Sequence, residues 1–405
     1  MLRILYVTAA WSGLADVLYQ GSAPRGMPAF MRPLKGLIEA GHRVDLLVGG
    51  PEGRQLRLGV DWLSPQQIHS APWEPEGSRW DVRRLLRFAL AARRRILEQQ
   101  YDFVYAQGSL GTLGAIEARR AAIPCGQRLY GVNYLINEFP AEGLGPWGRA
   151  GVWLRHPLHY QAFSSRKAFL LVTNDGTRAD HIYREIGDRG TPLLFWLNGV
   201  DRPSDQPPVE LPAGIREPFL LYPGRINSFK RQHLAIELLR LLRERGATEL
   251  QLLFAGHDGE ADYRSQLDRL VEQLELGDVV RFLGPIDHRA LLALMPAATA
   301  VLSFYEVSNL GNVALEALGT GSVLLSLADG SLDAVARSEE SALLVDGVEQ
   351  AADAVQWLLR DGELRQRLQR GARAAAKEYL LSWEERVARE IAVIEDAAAG
   401  RRVEG

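Results

Sequence analysis

Short apolar runs of strand length alternate with stretches of helical period along the chain, and one proline-rich stretch interrupts that rhythm. No other feature limits the fold so strongly. Strand–helix–strand succession implies parallel strands, and a parallel sheet has to be covered on both faces. In the first half, strands are predicted at Leu2–Thr8, Val44–Val48, Phe103–Ala106, Arg128–Tyr130, Leu170–Thr173 and Leu193–Leu197. Between the first two, Pro28–Ala40 has helical period and ends at Gly41, a natural C-terminal stop. Asp201–Pro218 carries five prolines and no hydrophobic period, the composition of a linker. The second half repeats the alternation, with strands at Phe219–Tyr222, Leu250–Ala255, Val279–Leu283, Ala300–Ser303, Val323–Leu325 and Leu343–Val345. Helices fit between them at Gln232–Arg245, Tyr263–Leu274 and His288–Leu294.

The expected fold is therefore α/β: two tandem Rossmann-like, doubly wound domains with an interdomain cleft. The first would span residues 1–200 and the second 219–381, with 201–218 as linker and hinge. Residues 382–399 read as a helix, with Ser382 at its N-cap and Glu385 three residues on, and are expected to cross back to the N-terminal domain. At 405 residues the chain is too long for one ordinary core, which agrees with two domains.

A formal net charge of −3 argues against a nucleic-acid binder that relies on bulk positive charge. Cys125 has no second cysteine to pair with, so it reads as a buried thiol in a reducing compartment. No apolar run reaches the length of a membrane span. The opening M-L-R-I-L-Y-V-T-A-A reads as a strand rather than a signal peptide, so a cytoplasmic location is expected.

Several chemistries lack their motifs. G-x-G-x-x-G follows no predicted strand, and the P-loop pattern G-x-x-x-x-G-K-[ST] is absent. There is no D-x-D pair for a metal-bound diphosphate. His156 and His159 share a helix without a third ligand and read as surface or capping residues. No metal and no cofactor is expected. What remains is a diphosphate held by the chain itself. Arg225 follows a glycine at a strand end, and Lys230 stands where the next helix begins. Phe304–Gly321 then reads as a strand end, a polar loop and a helix that opens at Gly311 and Asn312, with Glu316 one turn in. Unpaired N–H groups at a helix start favour anions, and two cations nearby would complete the seat. On these residues alone, two solvated cations in a turn explain Arg225 and Lys230 equally well.

The ordered set N-G-V-D (Asn198–Asp201), G-R-I-N-S-F-K (Gly224–Lys230), L-L-F-A-G (Leu252–Gly256), V-R-F-L-G (Val280–Gly284) and S-N-L-G-N-V-A-L-E-A (Ser308–Ala317) resembles retaining glycosyltransferases of the GT-B fold, and most closely their large family four. The resemblance implies transfer of a sugar, with its anomeric configuration kept, from a UDP- or GDP-linked donor. The acceptor would be a saccharide, a glycolipid or a small molecule, in glycan or glycoconjugate biosynthesis. The nucleotide-sugar is a substrate, so no cofactor is implied. Arg225 and Lys230 would hold the diphosphate and stabilise the leaving group, and Glu316 would bind the ribose. The amides of Leu310, Gly311 and Asn312 would reach the sugar and β-phosphate, while Arg281 and Phe282 would flank the base. Gly224 and Gly26 would let the backbone approach the donor.

The sequence departs from the family pattern at three places. Many relatives carry a glutamate where Ser308 stands; Ser308 and Asn309 can hydrogen-bond a sugar hydroxyl without its charge, and Glu306 lies two residues upstream. Relatives often have a histidine where Gly131 stands, leaving Asn133 as a polar substitute. Gln107 likewise occupies a position where histidine is frequent. The rival readings are an epimerase or phosphorylase on the same fold, and a sugar-nucleotide-binding protein without turnover.

Arg79–Leu97 holds seven arginines against one aspartate. Val82, Leu85, Leu86, Ala89, Arg93 and Ile96 are expected to face inward, with Arg83, Arg84, Arg87, Arg94 and Arg95 outward. Such a helix suits peripheral contact with anionic lipid, and Trp147, Arg149, Trp153 and Arg155 could add to it. A solvated face over ordinary core aromatics accounts for the same letters.

Overall fold

The structure, a computed structural model, describes every residue except 25, 52, 74–81, 141, 202–213 and 405, with only the backbone at 12, 133 and 134. The linker expected at 201–218 thus lies mostly outside the described residues, as do the first three residues of the stretch from 79 to 97. By its contacts the chain divides into two units. One comprises Met1–Leu197 with Glu384–Gly405, the other Asn198–Trp383.

The first unit is built on a seven-stranded parallel sheet: β1 (Arg3–Ala9), β2 (Arg43–Gly50), β3 (Ile68–Pro72), β4 (Phe103–Gln107), β5 (Cys125–Leu129), β6 (Phe169–Thr173) and β7 (Leu193–Trp196). Its order is β3-β2-β1-β4-β5-β6-β7. Successive side chains of a strand point to opposite faces, and both faces here are buried. Ile4 and Tyr6 pack with Leu34 and Leu37 and with Ile394 and Ala397 of the last helix. Leu5 and Val7 pack on the other side with Phe88, Ala92, Leu110 and Ala115. The sequence reading missed β3, an edge strand I-H-S-A-P that is half polar and pairs only with β2.

The last helix, Trp383–Ala398, inserts a carboxylate into this unit. Glu390, fully buried, accepts from Arg128 Nη1 at 2.8 Å and from Arg386 Nη1 at 2.8 Å, and from the Tyr105 hydroxyl. Arg128 also lies over the ring of Tyr130, and Arg386 over that of Trp196.

One expectation is corrected in the helix Val82–Glu98. Its buried residues are Phe88, Ala92 and Ile96, while Val82, Leu86, Leu90 and Leu97 are exposed. Arg95, expected outside, turns in: its Nη2 lies 2.6 Å from His69 Nε2, and the guanidinium 3.8 Å from Asp45.

The second unit repeats the design with a six-stranded parallel sheet: β8 (Phe219–Pro223), β9 (Gln251–Ala255), β10 (Val280–Gly284), β11 (Ala300–Ser303), β12 (Leu324–Leu327) and β13 (Leu343–Val345). The order β10-β9-β8-β11-β12-β13 runs outward from β8 in one direction and then, from β11, in the other. Leu220, Tyr222, Leu252, Phe254 and Leu302 pack against Ile236 and Leu239 of the helix Gln232–Glu244. This reversal leaves a crevice between the C-terminal ends of β8 and β11, the place where open parallel sheets hold ligands.

Candidate functional site

Both loops singled out in the sequence leave the sheet at that crevice. β8 ends at Pro223, and Gly224 takes φ +130°. A side chain there would start 2.7 Å from Lys230 Nζ, so glycine is what lets the ammonium fold back over the start of its own loop. Asn227 caps the single turn Ser228–Lys230 by accepting from the Lys230 N–H at 3.2 Å. The Tyr222 hydroxyl donates to the Lys230 carbonyl and accepts from the Phe304 N–H at 3.2 Å, which ties the two loops together.

Lys230 Nζ donates to the Tyr305 hydroxyl at 2.7 Å and lies 3.9 Å from that ring's centroid. Cε2 of the same ring is 3.6 Å from where a side chain at Gly311 would begin. Gly311 is the N-cap of the helix Asn312–Thr320. An ammonium and a helix N-terminus therefore meet across a single tyrosine. No carboxylate pairs with Lys230 or Arg225 among the described residues. Arg225 is exposed, with its Cγ and Cδ lying along Gly259.

The loop after β11 is braced from within. Asn309 is fully buried; its Oδ1 accepts from Ser303 Oγ at 3.0 Å and the Tyr305 N–H at 2.9 Å, and its Nδ2 donates to Asp329 at 2.9 Å. Its side chain holds the loop in shape here rather than reaching outward. The Leu310 N–H donates to Ser308 Oγ and Ser331 Oγ, at 3.2 and 3.1 Å, and the Gly311 N–H to the Asn309 carbonyl at 2.9 Å. Of the three amides singled out in the sequence, that of Asn312 alone has no acceptor among the described residues, and it opens the helix.

Glu316, one turn in, accepts from or shares a proton with His288, whose Nε2 is 2.9 Å from its Oε1. The other ring nitrogen of His288 faces Asp201 at 3.5 Å, and Asn198 Nδ2 donates to Asn312 Oδ1 at 2.9 Å. N-G-V-D thus supplies two side chains to this cluster. His288 went unrecognised because it lies 28 residues from Glu316. Glu306 is exposed and pairs with Arg231 at 3.5 Å. On β10, Arg281 is exposed, but the Phe282 ring stacks on Phe254 with centroids 4.9 Å apart and carries the Arg264 guanidinium at 3.7 Å. Among the described residues no group of three or more His, Cys, Asp or Glu side chains is placed to hold a metal ion.

Residues 209–375, which fall within the second unit's span, match the family of glycosyl transferases group 1. Over that stretch the chain resembles the group 1 glycosyltransferases. It is 28% identical over 349 residues to a D-inositol 3-phosphate glycosyltransferase of Nocardioides sp., covering 80% of this chain and 74% of that protein. Among solved structures it resembles the sucrose-phosphate synthase of Thermosynechococcus elongatus, with a TM-score of 0.74 at 21% identity over 99% and 100% of the two chains. It also resembles Anabaena HepE in complex with UDP-glucose, with a TM-score of 0.67 at 17% identity over 97% and 100%. These likenesses carry the fold alone: two parallel-sheet α/β units of the GT-B type.

In the first unit, the backbone at Gly131 leaves no room for a histidine. Gly131 has φ +83°, and a Cβ there would stand 2.0 Å from Asp175 Oδ2. No side chain fits while Asp175 keeps that place. Burial pushes the Asp175 carboxyl above its ordinary range, against the hydrogen bonds it receives from Thr177. Gln107 is buried and accepts from the Tyr130 hydroxyl at 2.5 Å. Asn133 opens a short turn, Asn133–Ile136, with its side chain outside the described residues, and Gly26 lies exposed in a bend.

Proposed function

We propose that this enzyme transfers a sugar from a UDP- or GDP-linked donor to an acceptor hydroxyl with retention of configuration and without a metal. The observation that carries the reading is the Lys230 ammonium at the crevice of the second sheet, held by a neutral tyrosine and facing a helix N-terminus. Cleaving a sugar–phosphate bond leaves negative charge on the diphosphate. Fixed cations and helix amides that need no reorganisation stabilise that charge. Arg225 adds a guanidinium able to fork across two phosphate oxygens. Glu316 accepts the ribose hydroxyls, with His288 fixing its orientation. Arg281 stands at the base, whereas Phe282, already stacked, shapes the wall behind it. Retention follows if the acceptor attacks on the face that the diphosphate leaves and a phosphate oxygen takes its proton.

The acceptor is carried by the first unit and is a saccharide, a small polyol phosphate or a lipid-linked sugar. The name of the Nocardioides relative favours a phosphorylated polyol. Incubation with UDP-, GDP- and ADP-sugars and a panel of acceptors, with nucleotide release measured, tests the proposal. Tight binding with no release for any acceptor would favour a sugar-nucleotide-binding protein without turnover. The observation on that side is that Ser308 replaces a carboxylate, while Glu306 is turned to Arg231.

Two further outcomes are expected. Glu316→Gln weakens nucleotide binding about tenfold, since an amide cannot accept through both positions. His288→Ala weakens it by less, through lost orientation alone. Titration calorimetry with UDP checks both, and equal affinities would remove Glu316 from the ribose.

The second outcome concerns the helix Val82–Glu98. Leu86, Leu90 and Leu97 stand exposed between Arg83, Arg87, Arg93 and Arg94, with Leu90 at 63%. An apolar row flanked by cations suits an anionic bilayer surface. No described helix is long and apolar enough to cross a membrane, so contact would be peripheral. Leu86→Asp with Leu90→Asp should abolish co-sedimentation with phosphatidylglycerol vesicles. Absence of the wild type from the pellet at low and high salt would end the idea.

A further inference from the structure

Six cations line one cavity of about 1140 Å³ in the first unit. Arg119 ends the helix Gly108–Arg120, Arg166 and Lys167 precede β6, Arg189 precedes β7, and Arg401 and Arg402 follow the last helix. Glu404 is the carboxylate among the described lining residues. The cavity lies at the N-terminal ends of β5, β6 and β7, away from the C-terminal strand ends where Gly108 and Gly131 stand. It is therefore separate, within this unit, from the edge at which a parallel sheet ordinarily takes its substrate.

Three of these cations are already occupied. Arg401 pairs with Asp396 at 2.7 Å, and Arg189 donates to the Arg184 carbonyl at 2.7 Å. Buried Lys167 gives its N–H groups to the Ala162 and Ser165 carbonyls, at 2.7 and 2.5 Å, and adds charge from beneath the floor. Burial pushes its ammonium down to about 8. Arg119, Arg166 and Arg402 have no carboxylate partner among the described residues. Several arginines elsewhere in the chain do: Arg94 pairs with Glu98, Arg184 with Asp180, Arg240 with Glu244 and Arg243 with Asp278. In a chain of net charge −3, so many uncompensated guanidinium groups around one concavity concentrate positive potential there. Gly190 keeps the wall open: a Cβ at that position would stand 1.8 Å from Arg166 Nη1.

We propose that this cavity binds a small phosphorylated anion, a diphosphate or phosphomonoester, through the guanidinium groups of Arg119, Arg166 and Arg402. Guanidinium forks match tetrahedral oxyanions and supply paired donors. A ligand with two or more negative charges is what offsets an excess of this size. The site is independent of the sugar-transfer reading.

The test is titration of the full-length chain with pyrophosphate in a Lys230→Ala background, so that the second unit's diphosphate seat does not contribute. One equivalent should bind, and Arg166→Ala with Arg402→Ala should weaken it at least about tenfold, as expected for losing charged hydrogen bonds. Both arginines are exposed, so the melting temperature should not move. Vesicles containing phosphatidic acid form a second arm. Binding of those vesicles alone, lost in the double variant, would identify the phosphate as a lipid headgroup. An affinity for pyrophosphate and vesicles that the double substitution leaves unchanged would overturn the proposal. So would sulfate binding as tightly as pyrophosphate at equal ionic strength, or no binding of either phosphate probe.

Discussion

Lys230→Ala and Arg225→Ala each lower turnover by at least about a hundredfold, while both variants melt with the wild type. Neither cation has a carboxylate partner among the described residues, so neither supports the fold through an ion pair. Lys230 gives its ammonium to a tyrosine hydroxyl, a neutral group that positions the charge without cancelling it. Its loss leaves Tyr305 with a weak contact to the Pro223 carbonyl at 3.5 Å and removes the ammonium that faces the helix mouth across that ring. The effect should fall mainly on kcat, because negative charge on the diphosphate grows as the sugar leaves.

A purely structural Lys230 predicts the reverse. Pinning Tyr305 would then be its whole task, and Lys230→Ala would lower the melting temperature while each folded molecule turned over normally. Tyr305→Phe separates the two ideas. It keeps the ring against Lys230 and the helix mouth but deletes the hydroxyl, so a drop of a few-fold is expected, smaller than for Lys230→Ala. Wild-type rates in Lys230→Ala and Arg225→Ala together would remove the diphosphate assignment.

The sheets were legible because fully buried parallel strands read as runs of Leu, Val, Ile and Phe, as in Phe169–Thr173 and Phe219–Pro223. β3 was not, since an edge strand with His69 and Ser70 half in solvent lacks such a run. Helical period revealed the helix Val82–Glu98 but not its orientation. Apolar residues occupy more than one side of it, and packing against β3 and the helix Gly108–Arg120 decides which side is buried. In the second unit the two loops were recognisable one by one, while their meeting was not. Lys230 and Tyr305 are 75 residues apart, and only the strand order that places β8 beside β11 brings them together. The same limit hid His288, which stands between Glu316 and Asp201. Asn309 shows the converse: a polar residue in a functional loop was read as a ligand contact, but its buried amide is spent on Ser303, Tyr305 and Asp329.

Glu390→Ala is expected to destabilise the first unit by about 3–5 kcal/mol, the usual cost of removing one partner from a buried ion pair. Arg128 and Arg386 stay buried when the carboxylate goes, and their charges then face each other with no anion between them. The helix Trp383–Ala398 loses its polar anchor to β5, although Ile394 and Ala397 still pack on the sheet. Thermal unfolding should move down by roughly 10 °C for a unit of this size. Acid should reproduce part of the loss in the wild type. Burial alone would raise the Glu390 carboxyl, but Arg128 and Arg386 outweigh it and hold the group below its ordinary value. A carboxyl depressed in the folded state contributes stability that is present above its unfolded value and lost as pH falls through the folded one. The first unit should therefore weaken below about pH 4, where an unfolded glutamate takes up its proton. In Glu390→Gln that part of the acid sensitivity should vanish, because no proton remains to be bound. A variant melting with the wild type at neutral pH, or an unchanged acid slope in Glu390→Gln, would show that the last helix is held by its apolar face alone.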